Sequence, residues 1–127
     1  MIYLDSSALV KVVVHEEQSL AVRAMMVERV VVTSALSVVE VIRAVRRRDE
    51  SHALPARMTL AQAALIPIDE AVLSQAGLLG PRSLRSLDAI HLASALLIRD
   101  ELEAFVAYDD RLLDAASALG MPVASPA

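Results

Sequence analysis

Four acidic residues stand where side chains from different parts of an α/β fold can meet. Asp5 follows the first short apolar run of the chain, and Asp109 follows a late one. Glu40 and Asp88 lie in the opening turns of two segments with helical periodicity. Ligands of open α/β sheets bind beyond the carboxyl ends of the strands. We therefore expect Asp5, Glu40, Asp88 and Asp109 to share one cleft.

Carboxylates that meet in one cleft repel each other unless a cation lies between them. A site built from oxygen ligands alone favours Mg²⁺ or Mn²⁺. Such an ion makes water easier to deprotonate and stabilises negative charge on a phosphate. The four acids therefore predict a metal-dependent phosphodiesterase in which they are both the catalytic residues and the metal ligands.

Polar residues beside these acids are candidates for supporting roles or for contacts to substrate. Ser7 can orient Asp5 by a hydrogen bond, and Asp110 directly follows the fourth acid. His91 lies one helical turn after Asp88 on the same face. It is either a base, a partner of Asp88 or a structural residue that is hydrogen-bonded within a buried helix, and the structural interpretation is favoured.

Each acid also has an ordinary structural interpretation. Asp5 and Asp109 follow strands, where Asp is a common helix N-cap. Asp88 can stabilise the positive end of a helix dipole, and Glu40 can pair with Arg43 at the i,i+3 spacing. The presence of all four acids along one chain favours the site over these separate explanations.

The basic residues are candidates for gripping a phosphate backbone. All but one of the 12 Lys and Arg residues are Arg, and Arg forms bidentate hydrogen bonds with phosphate. Arginines near a helix C-terminus are also favourable without any ligand. The candidates are Arg43, Arg46 and Arg47 on one predicted helix, and Arg82 and Arg85 in the loop before Asp88.

Composition limits the other functions of this chain of 127 residues with net charge −4. Aromatic residues make up only 2%, which argues against a surface that stacks bases on aromatic rings. The absence of Cys excludes disulfides, thiol catalysis and Cys-ligated zinc. A strand beginning at residue 2 leaves no room for a leader peptide, and no apolar helix is long enough to span a membrane. We expect a cytoplasmic protein.

Short apolar runs alternate with helical patterns along the whole chain. This alternation predicts one domain, residues 1–127, with a three-layer α/β/α sandwich and a mostly parallel central sheet. Thr33 or Ser34 is expected to cap a helix that ends near Arg48. Ser86 is expected to cap the very apolar helix that reaches Ile98.

Four segments resemble the PIN-domain family, and more narrowly the toxin ribonucleases of VapBC toxin–antitoxin pairs. They are residues 4–9 (LDSSAL), 37–43 (SVVEVIR), 87–93 (LDAIHLA) and 107–112 (AYDDRL). The resemblance implies a parallel sheet between helices, Mg²⁺ or Mn²⁺, RNA cleavage, and an acidic site at Asp5, Glu40, Asp88 and Asp109. Ala107 departs from the family pattern, which has a hydroxyl residue there.

The resemblance also implies a cognate antitoxin and suggests a homodimer. Apolar residues that point in several directions around two helices support a covered surface. They are Leu20, Val22, Met25, Met26 and Val27 on one helix, and Val38, Val41, Ile42 and Val45 on the other. The alternative is that these helices are buried within the monomer.

Two other functional classes remain open. One is a PIN-like binding or assembly module with degraded catalysis. The other, which the residues favour less, is a receiver-like phospho-acceptor domain. Receivers carry a Lys after a late strand, whereas the one Lys of this chain is Lys11. A phosphatase of the Asp-x-Asp type is disfavoured because Ser7 takes the place of the second Asp.

Overall fold

The computed structural model describes residues 1–127 and has five short strands that alternate with helices. The strands are β1 (Ile2–Leu4), β2 (Val31–Ser34), β3 (Ala64–Ile66), β4 (Ala104–Val106) and β5 (Val123–Ala124). The helices are α1 (Ser6–Val13), α2 (Ser19–Met26), α3 (Leu36–Arg48), α4 (Ala53–Ala61), α5 (Glu70–Leu78), α6 (Ser86–Leu96) and α7 (Asp110–Ala118). Short 3₁₀ turns, Glu50–His52 and Arg99–Glu101, precede α4 and β4.

The strands form one sheet in the order β3-β2-β1-β4-β5, and every neighbouring pair is parallel. From β1 the chain moves outward through β2 to β3, then returns to the other side of β1 for β4 and β5. The strand order therefore reverses between β1 and β4, and such a reversal opens a crevice at the carboxyl ends of the strands. Asp5 follows β1 at this crevice, and Asp109 follows β4.

Apolar side chains cover both faces of the sheet, which confirms the predicted three-layer α/β/α architecture. Ile2 and Leu4 of β1 point to one face, and Tyr3 points to the other. The first face packs against buried residues of α1 to α4, including Leu9, Val22, Val41, Val45, Ala56 and Leu60. The second packs against α6 and α7 through Leu92, Ala95, Leu112 and Ala115.

Two expected helix caps are wrong. The N-cap of α3 is Ala35, because Thr33 and Ser34 extend β2 and pair with Leu65 and Ile66 of β3. The Ser34 hydroxyl still accepts a hydrogen bond from the Leu36 amide at 3.1 Å. Ser86 does not cap α6 either. The N-cap is Arg85, whose extended backbone (φ −71°, ψ 149°) precedes the first helical residue, Ser86.

A glycine lies just beyond the C-terminal end of α7. Gly120 has φ +84°, a left-handed conformation that Gly adopts without steric cost. Its amide donates to the carbonyl of Ser117 at 2.9 Å. None of the helices combines the length and the apolar character needed to cross a membrane.

Candidate active site

Asp5 lies at the crevice between β1 and β4. Its amide donates to the Val106 carbonyl at 3.1 Å, which fixes its backbone against the end of β4. Oδ1 accepts hydrogen bonds from Ser7 Oγ at 2.6 Å and from the Ala8 amide at 3.0 Å. Asp5 is therefore the N-cap of α1, yet only one of its oxygens serves that role, and Oδ2 accepts no hydrogen bond from the protein.

The burial of Asp5 disfavours its charge. Only 5% of the residue is exposed, and this burial raises the pKa of its carboxyl group. Hydrogen bonds from Ser7 and Ala8 and the charge of His91 act in the opposite direction, whereas the nearby charge of Asp88 raises the pKa further. An ionised Asp5 would therefore be stabilised by a cation placed between it and Asp88.

Ser7 connects the ends of the two central strands. Its hydroxyl donates to Asp5 and accepts a hydrogen bond from the Tyr108 amide at 3.0 Å. The neighbouring Ala107 is fully buried and has no hydroxyl to offer. Ser7 thus supplies the one hydroxyl that joins Asp5 to the segment leading to Asp109.

The guanidinium group of Arg85 contacts both Asp88 and Asp109. Arg85 Nε lies 3.5 Å from Asp88 Oδ2, and Arg85 Nη2 lies 3.3 Å from Asp109 Oδ2. The other oxygen of Asp109 caps α7 by accepting hydrogen bonds from the amides of Arg111 (2.9 Å) and Leu112 (3.3 Å). Like Asp5, Asp109 therefore uses one oxygen to cap a helix, and its other oxygen contacts Arg85.

Glu40 is held by residues on two other elements. Its Oε1 accepts a hydrogen bond from Ser6 Oγ at 2.6 Å and lies 2.7 Å from His91 Nε2. Burial acts to raise the pKa of Glu40, but the hydrogen bonds from His91 and Ser6 and the charge of His91 outweigh it, so the pKa is lowered. Glu40 therefore does not need Arg43 as its counter-ion, and no ion pair joins the two.

His91 is a hydrogen-bonded residue of a buried helix, which agrees with the favoured interpretation, and the alternative pairing with Asp88 is not observed. The histidine is 2% exposed. The i,i+3 spacing on α6 places it near Asp88 in the helix, but its ring nitrogens contact Tyr3 and Glu40. Ser6 was not among the residues predicted from the sequence, although it lies between Asp5 and Ser7, which were.

The predicted arginines are divided between the site and the surface. A cleft of about 470 Å³ is lined by Ser6, Ser7, Glu40, Arg43 and Arg47. Arg46, on the same helix, pairs instead with Glu50 at 2.7 Å and is not part of this cleft.

The loop arginines and Asp110 occupy different surroundings. Arg85 and Asp88 line a second depression of about 400 Å³, together with Arg111, which sequence reasoning missed. Arg111 could have been identified as a site candidate because it lies two residues after Asp109. Arg82 and Asp110 are exposed and form no ion pair or side-chain hydrogen bond.

The four acids do not form one compact cage. No three or more His, Cys, Asp or Glu side chains are close enough together to hold a metal ion. The donor chemistry nevertheless fits a hard divalent cation, because Asp5, Asp88 and Asp109 offer oxygens alone. Arg85 already places positive charge between two of them, and Oδ2 of Asp5 is free to accept another partner.

The fold and the acidic crevice define the class of protein. The family model described as "PIN domain" matches residues 2–118, and the chain belongs to that family. Within it, the chain is 47% identical to Ribonuclease VapC46 of Mycobacterium tuberculosis over 126 residues, covering 98% of this chain and 97% of that protein. It is 40% identical to Ribonuclease VapC47 of the same species over 132 residues, covering 99% and 97%.

Solved structures have the same fold at much lower identity. VapC20 of Mycobacterium tuberculosis, described as a sarcin-ricin loop cleaving toxin, superposes with a TM-score of 0.72 at 18% identity, covering 95% of this chain and 96% of that one. A toxin–antitoxin complex from Klebsiella pneumoniae superposes with a TM-score of 0.73 at 22% identity, covering 100% of this chain and 98% of that one. VapBC2 from Rickettsia felis, bound to a DNA fragment from its promoter, gives 0.69 at 12% identity with full coverage of both chains.

Proposed function

We propose that this chain is an endoribonuclease and the toxin of a VapBC-type toxin–antitoxin pair. The observation that carries the proposal is the position of Asp5, a buried carboxylate with one free oxygen at the β1/β4 crevice of a PIN domain. Relatives at 40–47% identity over nearly the whole chain are named ribonucleases. In this proposal, residues 1–127 act as one catalytic domain on an RNA phosphodiester.

The proposed cofactor is Mg²⁺ or Mn²⁺. Asp5 Oδ2, Asp88 and the Asp109 oxygen that now contacts Arg85 are the ligands we assign, with Glu40 at the edge of the same site. Such an ion would stabilise charge on the scissile phosphate and make the attacking water easier to deprotonate. The all-oxygen donor set is what favours these hard cations.

The residues of the chain have separate roles in this proposal. Ser7 holds Asp5 in one rotamer through its 2.6 Å hydrogen bond. Arg43 and Arg47 line the cleft beside Glu40 and are placed to bind RNA phosphates. Since neither arginine has an ion-pair partner in the protein, both are free to bind a phosphate without breaking an existing contact.

The proposed partners are a cognate antitoxin and a second copy of this chain. Solved complexes of this fold include a toxin–antitoxin complex and VapBC2 on promoter DNA. Exposed apolar residues support a covered surface here, since Val38 is 40% exposed, Val39 58% and Leu65 43%. By contrast, Val22, Val41 and Val45 are buried in the monomer. Only some of the apolar residues that the sequence analysis assigned to a covered surface are therefore available to a partner. We place the protein in the cytoplasm, where its RNA substrate is.

RNA cleavage by purified protein, with Mn²⁺ or Mg²⁺ and with EDTA, tests this function. Asp5→Asn should lower cleavage by more than about 100-fold, beyond the effect expected from losing an outer hydrogen-bond partner. Asp69→Asn is the matched control. Asp69 caps α5 through the Val72 amide at 2.9 Å, as Asp5 caps α1, but it lies outside the crevice. Equal cleavage by wild type and Asp5→Asn would refute the proposed site.

A binding module that has lost catalysis is the second candidate. The buried Ala107, in place of a hydroxyl residue, and the absence of a compact acidic cage favour it. This alternative predicts that the protein binds RNA but does not cut it with either metal, whereas the enzyme produces new RNA ends whose yield depends on metal and on Asp5.

A further inference from the structure

A buried row of hydrogen bonds reaches Glu40 from the core of the protein. Tyr3 Oη lies 2.7 Å from His91 Nδ1, and His91 Nε2 lies 2.7 Å from Glu40 Oε1. Tyr3 is 0% exposed and His91 2%. The row therefore connects β1, α6 and α3 without reaching solvent until Glu40.

The partners assign the hydrogen atoms along this row. An ionised carboxylate only accepts hydrogen bonds, so the hydrogen between His91 and Glu40 belongs to Nε2. When the imidazole is neutral, the other nitrogen is then an acceptor, which suits the hydroxyl of Tyr3 as donor, and when the ring carries the charge that lowers the pKa of Glu40, Nε2 keeps its hydrogen. The direction is thus Tyr3 to His91 to Glu40, and the contact at one nitrogen fixes the tautomer at the other.

The row is anchored at its inner end. The Tyr3 ring stacks on Phe105 with 5.2 Å between centroids and an interplanar angle of 7°. It also meets the His91 ring edge-on at 6.0 Å and 79°. These contacts leave neither ring free to rotate within a close-packed core, so His91 presents Nε2 to Glu40 in one orientation.

The outer end of the row leaves Glu40 with one oxygen free. Ser6 Oγ donates to Oε1 at 2.6 Å, the same oxygen that His91 contacts. Ser6 is in turn close to Ser37 Oγ (3.3 Å), which is 2.7 Å from Thr33 Oγ1. Oε1 is therefore fully engaged, while Oε2 accepts no hydrogen bond from the protein and is available to the cleft that Glu40 lines.

We propose that His91 is a positioning residue that acts through Glu40, with Tyr3 fixing its tautomer, so that Glu40 works through its single free oxygen, Oε2. This inference rests on the proposed ribonuclease function. The effect of His91 on cleavage should exist only while residue 40 is a carboxylate, because the other cleft residue near His91 Nε2, Ser6 at 3.3 Å, itself donates to Glu40 Oε1.

Two substitutions of His91 separate its two contacts. In His91→Gln the side-chain amide nitrogen takes the place of Nε2 and still donates to Glu40. In His91→Asn the shorter amide takes the place of Nδ1, so the contact with Tyr3 is kept and the contact with Glu40 is lost. Both replace one buried imidazole by one amide, so a purely structural role predicts similar losses of cleavage from the two variants.

We expect His91→Asn to lose about 10- to 100-fold in kcat/KM, the usual effect of removing an outer partner, and His91→Gln to regain most of it. In a Glu40→Gln background, His91→Asn should cause no further loss, since residues that act through one group are not additive. Equal losses from both His91 variants, or an undiminished loss in the Glu40→Gln background, would overturn the inference.

The ¹⁵N spectrum of the His91 ring gives a readout that does not depend on activity. Hydrogen on Nε2 is expected in wild type, and a neutral ring protonated at Nδ1 would overturn the assignment. If melting curves reveal that the His91 variants do not fold, Tyr3→Phe replaces them, because it removes only the hydroxyl and keeps the stack on Phe105. Its loss of activity should likewise vanish with Glu40→Gln, and an unchanged loss would again refute the inference.

Failure of this inference is distinguishable from failure of the proposed function. If Asp5→Asn abolishes cleavage while the His91 and Tyr3 variants cut like wild type, only the positioning role is lost. If Asp5→Asn cuts as fast as wild type, the ribonuclease site itself is wrong, while the ¹⁵N measurement still reports on the hydrogen-bond row.

Discussion

Arg85 reaches across the crevice to Asp109, with 3.3 Å between Nη2 and Oδ2, although the two residues belong to different elements. The same guanidinium lies 3.5 Å from Asp88. Its side chain is 74% exposed, so these contacts contribute little to stability. Their significance is positional, because Arg85 holds positive charge where the proposed metal ion would compete for the same oxygens.

Arg85→Ala should therefore bind Mn²⁺ more tightly than wild type. The substitution removes a cation that must be displaced, and a gain of about 1 kcal/mol would lower Kd roughly fivefold. Isothermal titration calorimetry on RNA-free protein measures this directly. Arg82→Ala is the control, since it removes the same charge from the same loop without touching Asp88 or Asp109. Weaker Mn²⁺ binding by Arg85→Ala would contradict the competition.

Asp5→Asn should stabilise the protein in EDTA at neutral pH. Burial raises the pKa of Asp5 above its ordinary value of 3.8, so the folded state binds a proton more readily than the unfolded chain. The contribution of Asp5 to stability is thus lost as pH rises from 3.8 through the folded pKa. Asn keeps the acceptor that caps α1 without the buried charge.

Thermal melting from pH 3 to pH 8 measures this effect. The difference between Asp5→Asn and wild type should be smallest at the acid end and grow with pH, with about 1 kcal/mol corresponding to roughly 4 °C. Mn²⁺ at 100 times its Kd should stabilise wild type by about 2.7 kcal/mol and Asp5→Asn much less. Identical melting of both proteins at every pH and Mn²⁺ concentration would exclude Asp5 as a ligand.

Arg47→Ala should weaken RNA binding, and Arg46→Ala should not. The two residues are neighbours on α3, but Arg47 lines the cleft with Glu40 whereas Arg46 pairs with Glu50 at 2.7 Å. Each lost phosphate contact on single-stranded RNA should lower the slope of log K against log salt by about 0.7. Binding is measured in an Asp5→Asn background, so that the RNA stays intact. Equal effects of the two substitutions would remove Arg47 from the RNA path.

Val38→Glu should convert the proposed homodimer into a monomer. Val38 is 40% exposed on the apolar surface that also includes Leu65, and burying a carboxylate there in an interface would cost desolvation free energy. Leu73→Glu is the control, because Leu73 is 53% exposed on α5 and lies away from that surface. Light scattering reports the mass in solution. A monomeric wild type would contradict the dimer without bearing on the antitoxin. The antitoxin is tested separately, by co-purification with any protein that a gene immediately upstream encodes.

Local sequence patterns determined which elements form and where Asp5 and Asp109 stand. Short runs of Ile, Val and Ala predict buried parallel strands, and an acid directly after such a run must lie at the carboxyl edge of the sheet. The same local logic failed at the caps of α3 and α6. Thr33 and Ser34 continue β2 because β3 offers them a pairing partner, a fact that no local pattern contains.

The tertiary structure decided which site residues meet. His91 is three residues from Asp88, a helical spacing that allows the two to pair, yet the histidine contacts Glu40, which is 51 residues away in the chain. Arg46 and Arg47 are adjacent, yet one lines the cleft and the other does not. Periodicity fixes the direction of a side chain only within its own element. The distance between two elements is set by how the helices pack on the sheet, and that packing depends on the whole core.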